Sequence, residues 1–210
     1  MRIIYEKQLT KLKGELREMG AFISEALANC MIALKNGDLD LATGVKDNES
    51  DIIQLERQIE NRCVKLIMKQ QPVAGDLKFI SQAMKVGSHM GRIGRQTSDI
   101  AEIVLMMYET KDVPHIENLE KMSSLTVENL RNAVVAYTNS DPELANLVVV
   151  NEDSIDEYFN LVKMEIIEKL RSSDEDSAKL IDILMISKYL ERIADHSERI
   201  ALTLNYNIEI

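Results

Sequence analysis

A chain of 210 residues suffices for one large domain or two small ones. Its composition, 45% hydrophobic with 3 Pro, 8 Gly and no Trp, leaves little turn chemistry for a β-rich fold and points to an all-α one. A net charge of -10 removes the Lys and Arg excess on which sequence-independent nucleic-acid binding depends, and it disfavours attraction to anionic lipid.

The amino-terminal run Met1-Arg2-Ile3-Ile4-Tyr5-Glu6-Lys7 becomes charged before a signal-peptide apolar region can develop, which predicts a cytoplasmic chain. Breaks at Asn36-Gly37-Asp38, Gln71-Pro72 through Gly75-Asp76, Lys111 through Pro114, Ser140 through Glu143 and Ser172-Ser173-Asp174 follow. They predict helices over 3–35, 39–71, 76–109, 115–139, 142–171 and 175–205. Asp141 before Pro142 reads as an N-cap followed by proline in the first turn, where a missing N–H costs nothing. Apolar stretches such as Ile103 to Tyr108 fall far short of the roughly 20 residues of a membrane span. Cys30 and Cys63 lie within helical patterns, without a CxxC or Cys/His neighbourhood, and read as reduced packing thiols.

The two halves repeat. At a separation of 103, Leu27 pairs with Leu130, Ala33 with Ala136, Asn36 with Asn139, Asp38 with Asp141, Val45 with Val148, Asn48-Glu49 with Asn151-Glu152 and Ile52 with Ile155. At a separation of 100, Asp76, Arg92-Ile93 and Ile100-Ala101 match Asp176, Arg192-Ile193 and Ile200-Ala201. The expected architecture is two tandem three-helix bundles, residues 1–110 and 111–210, with antiparallel neighbours joined by short turns.

In the second half Glu152 and Asp156 share one helical face, as do Glu191 and Asp195 on the next helix but one break away. Two such pairs facing one another would favour a bound cation, Mg²⁺, Mn²⁺, iron or zinc among them. Lys188 and Arg199, three before Glu191 and four after Asp195, offer neutralisation without metal, as on any solvated ion-paired face. The first half keeps Glu49 at the place of Glu152 but puts Ile53, Gly91 and Arg95 at the other three positions. Arg95 either supplies the positive charge there by approaching Glu49 or faces solvent. His89, His115 and His196 form neither HExxH nor a Glu-x-x-His motif. Gly87, Gly91 and Gly94 lack a Lys-Ser/Thr continuation and read as helix-packing positions instead of a phosphate loop.

The segment Gln70-Gln71-Pro72-Val73-Ala74-Gly75-Asp76-Leu77-Lys78-Phe79-Ile80 resembles the signature between the second and third helices of the PhoU family. Leu190-Glu191-Arg192-Ile193-Ala194-Asp195-His196 looks like that family's E/D-xxx-D metal motif, whereas Gly91 and Arg95 depart from it in the first half. The resemblance covers essentially the whole chain. It implies a cytoplasmic, often homodimeric and non-enzymatic regulator that links the phosphate ABC transporter to a sensor histidine kinase and restrains starvation signalling. It further implies a PstB-like ATPase and a PhoR-like kinase as partners, and a metal ion (iron, zinc, manganese or magnesium) in the second repeat. Three other readings stay open: a metal-dependent hydrolase or oxidase using Glu152, Asp156, Glu191 and Asp195, a regulator of another phosphate transporter, and a purely structural bundle.

Overall fold

The computed structural model describes residues 2–70, 74–108, 113–172 and 176–205. Among them are seven α-helices and no strand: α1 (Arg2–Asn36), α2 (Leu39–Asp47), α3 (Glu49–Gln70), α4 (Ala74–Met107), α5 (Glu117–Asn139), α6 (Pro142–Ser172) and α7 (Ser177–Leu202), followed by a 3₁₀ turn at Thr203–Asn205. Gln71, Pro72 and Val73 of the signature segment, and the breaks at Lys111-Asp112 and Ser173-Asp174, lie outside the described residues.

The first turn of each half is built twice from the same chemistry. Gly37 and Ser140 take the left-handed backbone at φ 68° and 57°, and the following amides, of Asp38 and Asp141, reach back to Ala33 O and Ala136 O. This is a Schellman closure, which satisfies carbonyls left free at the helix end. Each aspartate then caps the next helix: Asp38 accepts from Leu41 N and Asp141 from Leu144 N, both at 3.0 Å. Asp176 caps α7 in the same way through Ala178 N. Helix α6 starts at Pro142, directly after its cap.

One expected helix is interrupted. At Asn48 the amide turns to Val45 O at 3.3 Å, while its carbonyl accepts from Asp51 N and Ile52 N and so opens α3. The matching Asn151 runs on inside α6. The preceding turn explains the difference, because it holds Thr43, Gly44 and Asp47 where the second repeat has Asn146, Leu147 and Val150. Gly alone weakens a helix by about 1 kcal/mol.

Repeat-matched residues fill one core. Leu27 and Leu130, Ala33 and Ala136, Val45 and Val148, Ile52 and Ile155, Ile93 and Ile193, and Ile100 and Ile200 are all buried. Burying each large side chain is worth roughly 2 kcal/mol. Helix α1 packs on α2, α3 and α4, and α5 packs on α6 and α7. The halves join through α1 against α5 and α4 against α7. A Cβ at Gly20 would stand 2.8 Å from both Val134 methyls, so the α1 and α5 backbones meet there. Tyr137 stacks on Phe79 at 5.5 Å and donates its hydroxyl to Phe79 O at 3.0 Å, pinning α5 to α4. Cys30 and Cys63 are free and buried, with thiol pKa values pushed up to about 12, chiefly by burial.

Candidate functional site

Packing α6 against α7 brings both predicted carboxylate pairs to one seam. Asp156 feels the charges of Glu191 and Asp195, and Glu152 feels Asp156, Glu198 and Asp195. The Glu152 carboxyl is pushed up to about 7, by burial first and by Asp156 second. Asp156 and Glu198 are raised as well, again by burial and then by neighbouring acids. Asp153 and Glu198 belong to this seam and were not singled out from the sequence. For Glu198 the signal was present, since it continues the face of Glu191 and Asp195 at helical spacing.

Carboxylate oxygens are suitable donors for hard cations. The arrangement is another matter: among the described residues no three His, Cys, Asp or Glu side chains are placed to hold a metal ion. Lys188 also stands at this seam. Its ammonium lies on Glu191 Oε2, a charge contact without hydrogen-bond alignment, and also covers the Phe159 ring at 5.1 Å. The neutralisation that Lys188 offers by spacing is thus realised, and Arg199 makes no such pair with Asp195 among the described residues. As the side chains stand, the seam is a crowded acidic surface and not a ligand cage.

The first repeat differs as its residues require, with one correction. Arg95 Nη1 donates to Glu56 Oε2 at 3.1 Å and not to Glu49, which lies two helical turns earlier on α3. Gly91 makes room for that carboxylate, because a Cβ there would stand 2.2 Å from Glu56 Oε2. Gly94 and Gly87 likewise lie against Ile52 and Ile59. The three glycines therefore seat α3 on α4, as their pattern suggested.

A contact that sequence spacing does not announce lies between the repeats. His89 on α4 and His196 on α7 meet Nδ1 to Nδ1 at 3.2 Å. Burial lowers both pKa values, that of His89 to about 4, and His196, Arg199, Arg92 and Lys85 add to the effect on His89. The pair is invisible in the sequence because its members fall at non-matching positions of the repeat: His89 aligns with Tyr189, and His196 with Gln96.

A cavity of about 400 Å³ opens elsewhere, where Met31, Tyr108, Ile116, Leu119, Val127 and Arg131 come together. None of the four predicted carboxylates nor either paired histidine lines it. Its walls are mainly apolar, so the charged seams and not this cavity carry the candidate chemistry.

Comparison with known proteins gives a consistent picture. The family model described as "PhoU domain" matches twice, over residues 16–104 and 119–204. The chain is 27% identical over 205 residues to the phosphate-specific transport system accessory protein PhoU homolog of Caulobacter vibrioides, covering 97% of this chain and 89% of the relative. It is 28% identical over 202 residues to the PhoU homolog 1 of Methanothermobacter thermautotrophicus, covering 95% and 92%. Among solved structures, PhoU from Pseudomonas aeruginosa superposes with a TM-score of 0.91 at 25% identity, covering 96% of this chain and 97% of that one. PhoU from Streptococcus pneumoniae superposes with a TM-score of 0.87 at 26% identity, covering 96% and 95%.

Proposed function

Because the chain belongs to the PhoU family, we propose that it is a non-enzymatic accessory regulator of phosphate transport, working in the cytoplasm between a transporter and a signalling kinase. The observation that carries this reading is the double match of the PhoU domain to the two halves of one duplicated fold. Relatives named as accessory proteins of the phosphate-specific transport system support the transporter side. Among the described residues no helix is long and apolar enough to cross a membrane, which is consistent with a protein that meets its transporter from outside the bilayer.

The partners of this reading are a PstB-like ATPase and a PhoR-like sensor kinase, met by a homodimer through its helix faces. The mechanism is a difference in affinity for two partner states, since a protein that binds both states equally shifts neither. Deleting the gene should release phosphate uptake and starvation reporters from control in phosphate-rich medium. Capture from native lysate with and without phosphate should recover the ATPase or the kinase. Unchanged reporters together with capture of neither partner would sink the reading.

A metal role for the second repeat belongs to the same proposal. An ion held by Glu152, Asp156, Glu191 and Asp195 would offset the carboxylate repulsion that adds to burial in raising the Glu152 pKa, and it requires these side chains to converge further than they do. Metal content measured on native protein and on Glu191→Gln tests it; equal content in both would remove the seam as the binding place. The enzyme alternative is tested on the same material. Metal-stimulated turnover of phosphate esters, abolished by Glu191→Ala, would replace the accessory reading.

A further inference from the structure

Along one edge of the α4/α7 seam, cationic and imidazole groups collect in a chain whose net charge is -10. The His89–His196 contact at 3.2 Å marks the place. One helical turn beyond each imidazole, on the same faces, stand Arg92 and Arg199, and Lys85 lies one turn before His89. Both arginines are exposed, and among the described residues neither has an ion-pair or hydrogen-bond partner. Elsewhere Arg95 pairs with Glu56 and Arg62 with Glu15.

The histidine pair adds a donor. With one ring donating through Nδ1–H, the other must accept through a bare Nδ1 and so carries its proton on Nε2. That N–H is not used within the pair. The charges acting on both imidazoles are mainly positive, Arg92 and Arg199 on each and Lys85 on His89 as well, against Asp195 alone on His196. The rest of the Asp195 field falls on Glu152, Asp156 and Glu198 of the acidic seam. A cation is therefore disfavoured at the pair, and an anion is favoured. Guanidinium forks match the oxygens of a tetrahedral oxyanion two at a time.

We propose that Arg92 and Arg199, standing on either side of the His89–His196 pair, form an inter-repeat site for a small tetrahedral oxyanion, with orthophosphate as its ligand, a choice of oxyanion that rests on the phosphate-transport reading above. The site joins α4 to α7, so its occupancy reports on the contact between the two halves. It does not depend on any partner of the chain.

The test is calorimetric titration of the full chain with potassium orthophosphate at constant ionic strength, with the two imidazoles followed by ¹⁵N NMR. Saturable binding that shifts the His89 and His196 ring signals is expected. Arg92→Gln and Arg199→Gln should each weaken it by roughly tenfold, the loss of one charge-assisted hydrogen bond, with circular dichroism unchanged. Arg192→Gln is the control, because that guanidinium lies over Tyr189 at 5.8 Å and should leave binding intact. Phenyl phosphate distinguishes the source of the phosphoryl group: weaker binding than orthophosphate fits a free-ion site, whereas binding of phenyl phosphate alone overturns it. Absence of saturation at millimolar orthophosphate, or full binding by the Arg92→Gln/Arg199→Gln double variant, also overturns the proposal.

Discussion

The protonation of Glu152 ties the acidic seam to a measurable property. Its folded pKa of about 7 stands above the ordinary 4.5, so between those values the folded chain keeps a proton that the unfolded chain has released. Stability therefore falls as pH rises through that window. Glu152→Gln should melt higher than the wild type at about pH 8 and lose that advantage by about pH 5, with a gain no larger than about 1 kcal/mol because water screens the site. Two neighbouring glycines allow a second test. At Gly94 a new methyl would meet Ile52 Cγ2 at 2.5 Å, a branched side chain locked in the core, whereas at Gly91 it would meet the tip of the flexible Glu56. Gly94→Ala should cost about 1–2 kcal/mol net of the better helix propensity. Gly91→Ala should be close to neutral in urea unfolding, although it displaces the Glu56–Arg95 contact. Helical spacing put each carboxylate pair on one face of its own helix, yet it could not show that Lys188 settles on Glu191 or that Arg95 chooses Glu56. Those choices depend on the register of one helix against another, which no single-helix pattern contains.

At the scale of the element, the turns were the most legible part of the chain, because Gly37, Asp38, Asp141 and Pro142 each do there what their backbone and side-chain chemistry favours anywhere. Asp141→Ala removes the acceptor for Glu143 N and Leu144 N and should lower stability by about 1 kcal/mol. A cap that contributed nothing would leave the urea midpoint unmoved. The break at Asn48 was not legible from Asn48 itself, since the matching Asn151 sits inside an unbroken helix. Its cause is the summed weakness of the preceding turn, Gly44 above all, and this appears only when the repeats are set side by side.

In the whole molecule the repeats share contacts through α1 with α5 and α4 with α7. A single urea transition is expected, reported alike by far-UV circular dichroism and by the environment of Tyr137, which stacks between halves. Two separated transitions would show that the halves are independent folding units. The three-helix plan of each half was legible from the duplication. The way the halves face each other was not, because a repeat fixes what is alike within two units and leaves their mutual orientation open.

That orientation follows an antiparallel register: Gln82 meets Thr203 and His89 meets His196, seven residues on along α4 and seven back along α7. One more such step sets Gln96, with a buried and unpartnered carbonyl oxygen, opposite Tyr189. By the repeat alignment the His89–His196 contact and the Tyr189 and Gln96 positions occupy equivalent places. A single-repeat ancestor pairing with its own copy would have to carry the same two residues at both places, since every substitution in a self-matched interface is made twice. Tethering the copies in one chain removes that constraint and fixes their one-to-one ratio at any concentration. The two ends of the seam are thereby free to differ, with two histidines at one and a tyrosine and an amide at the other.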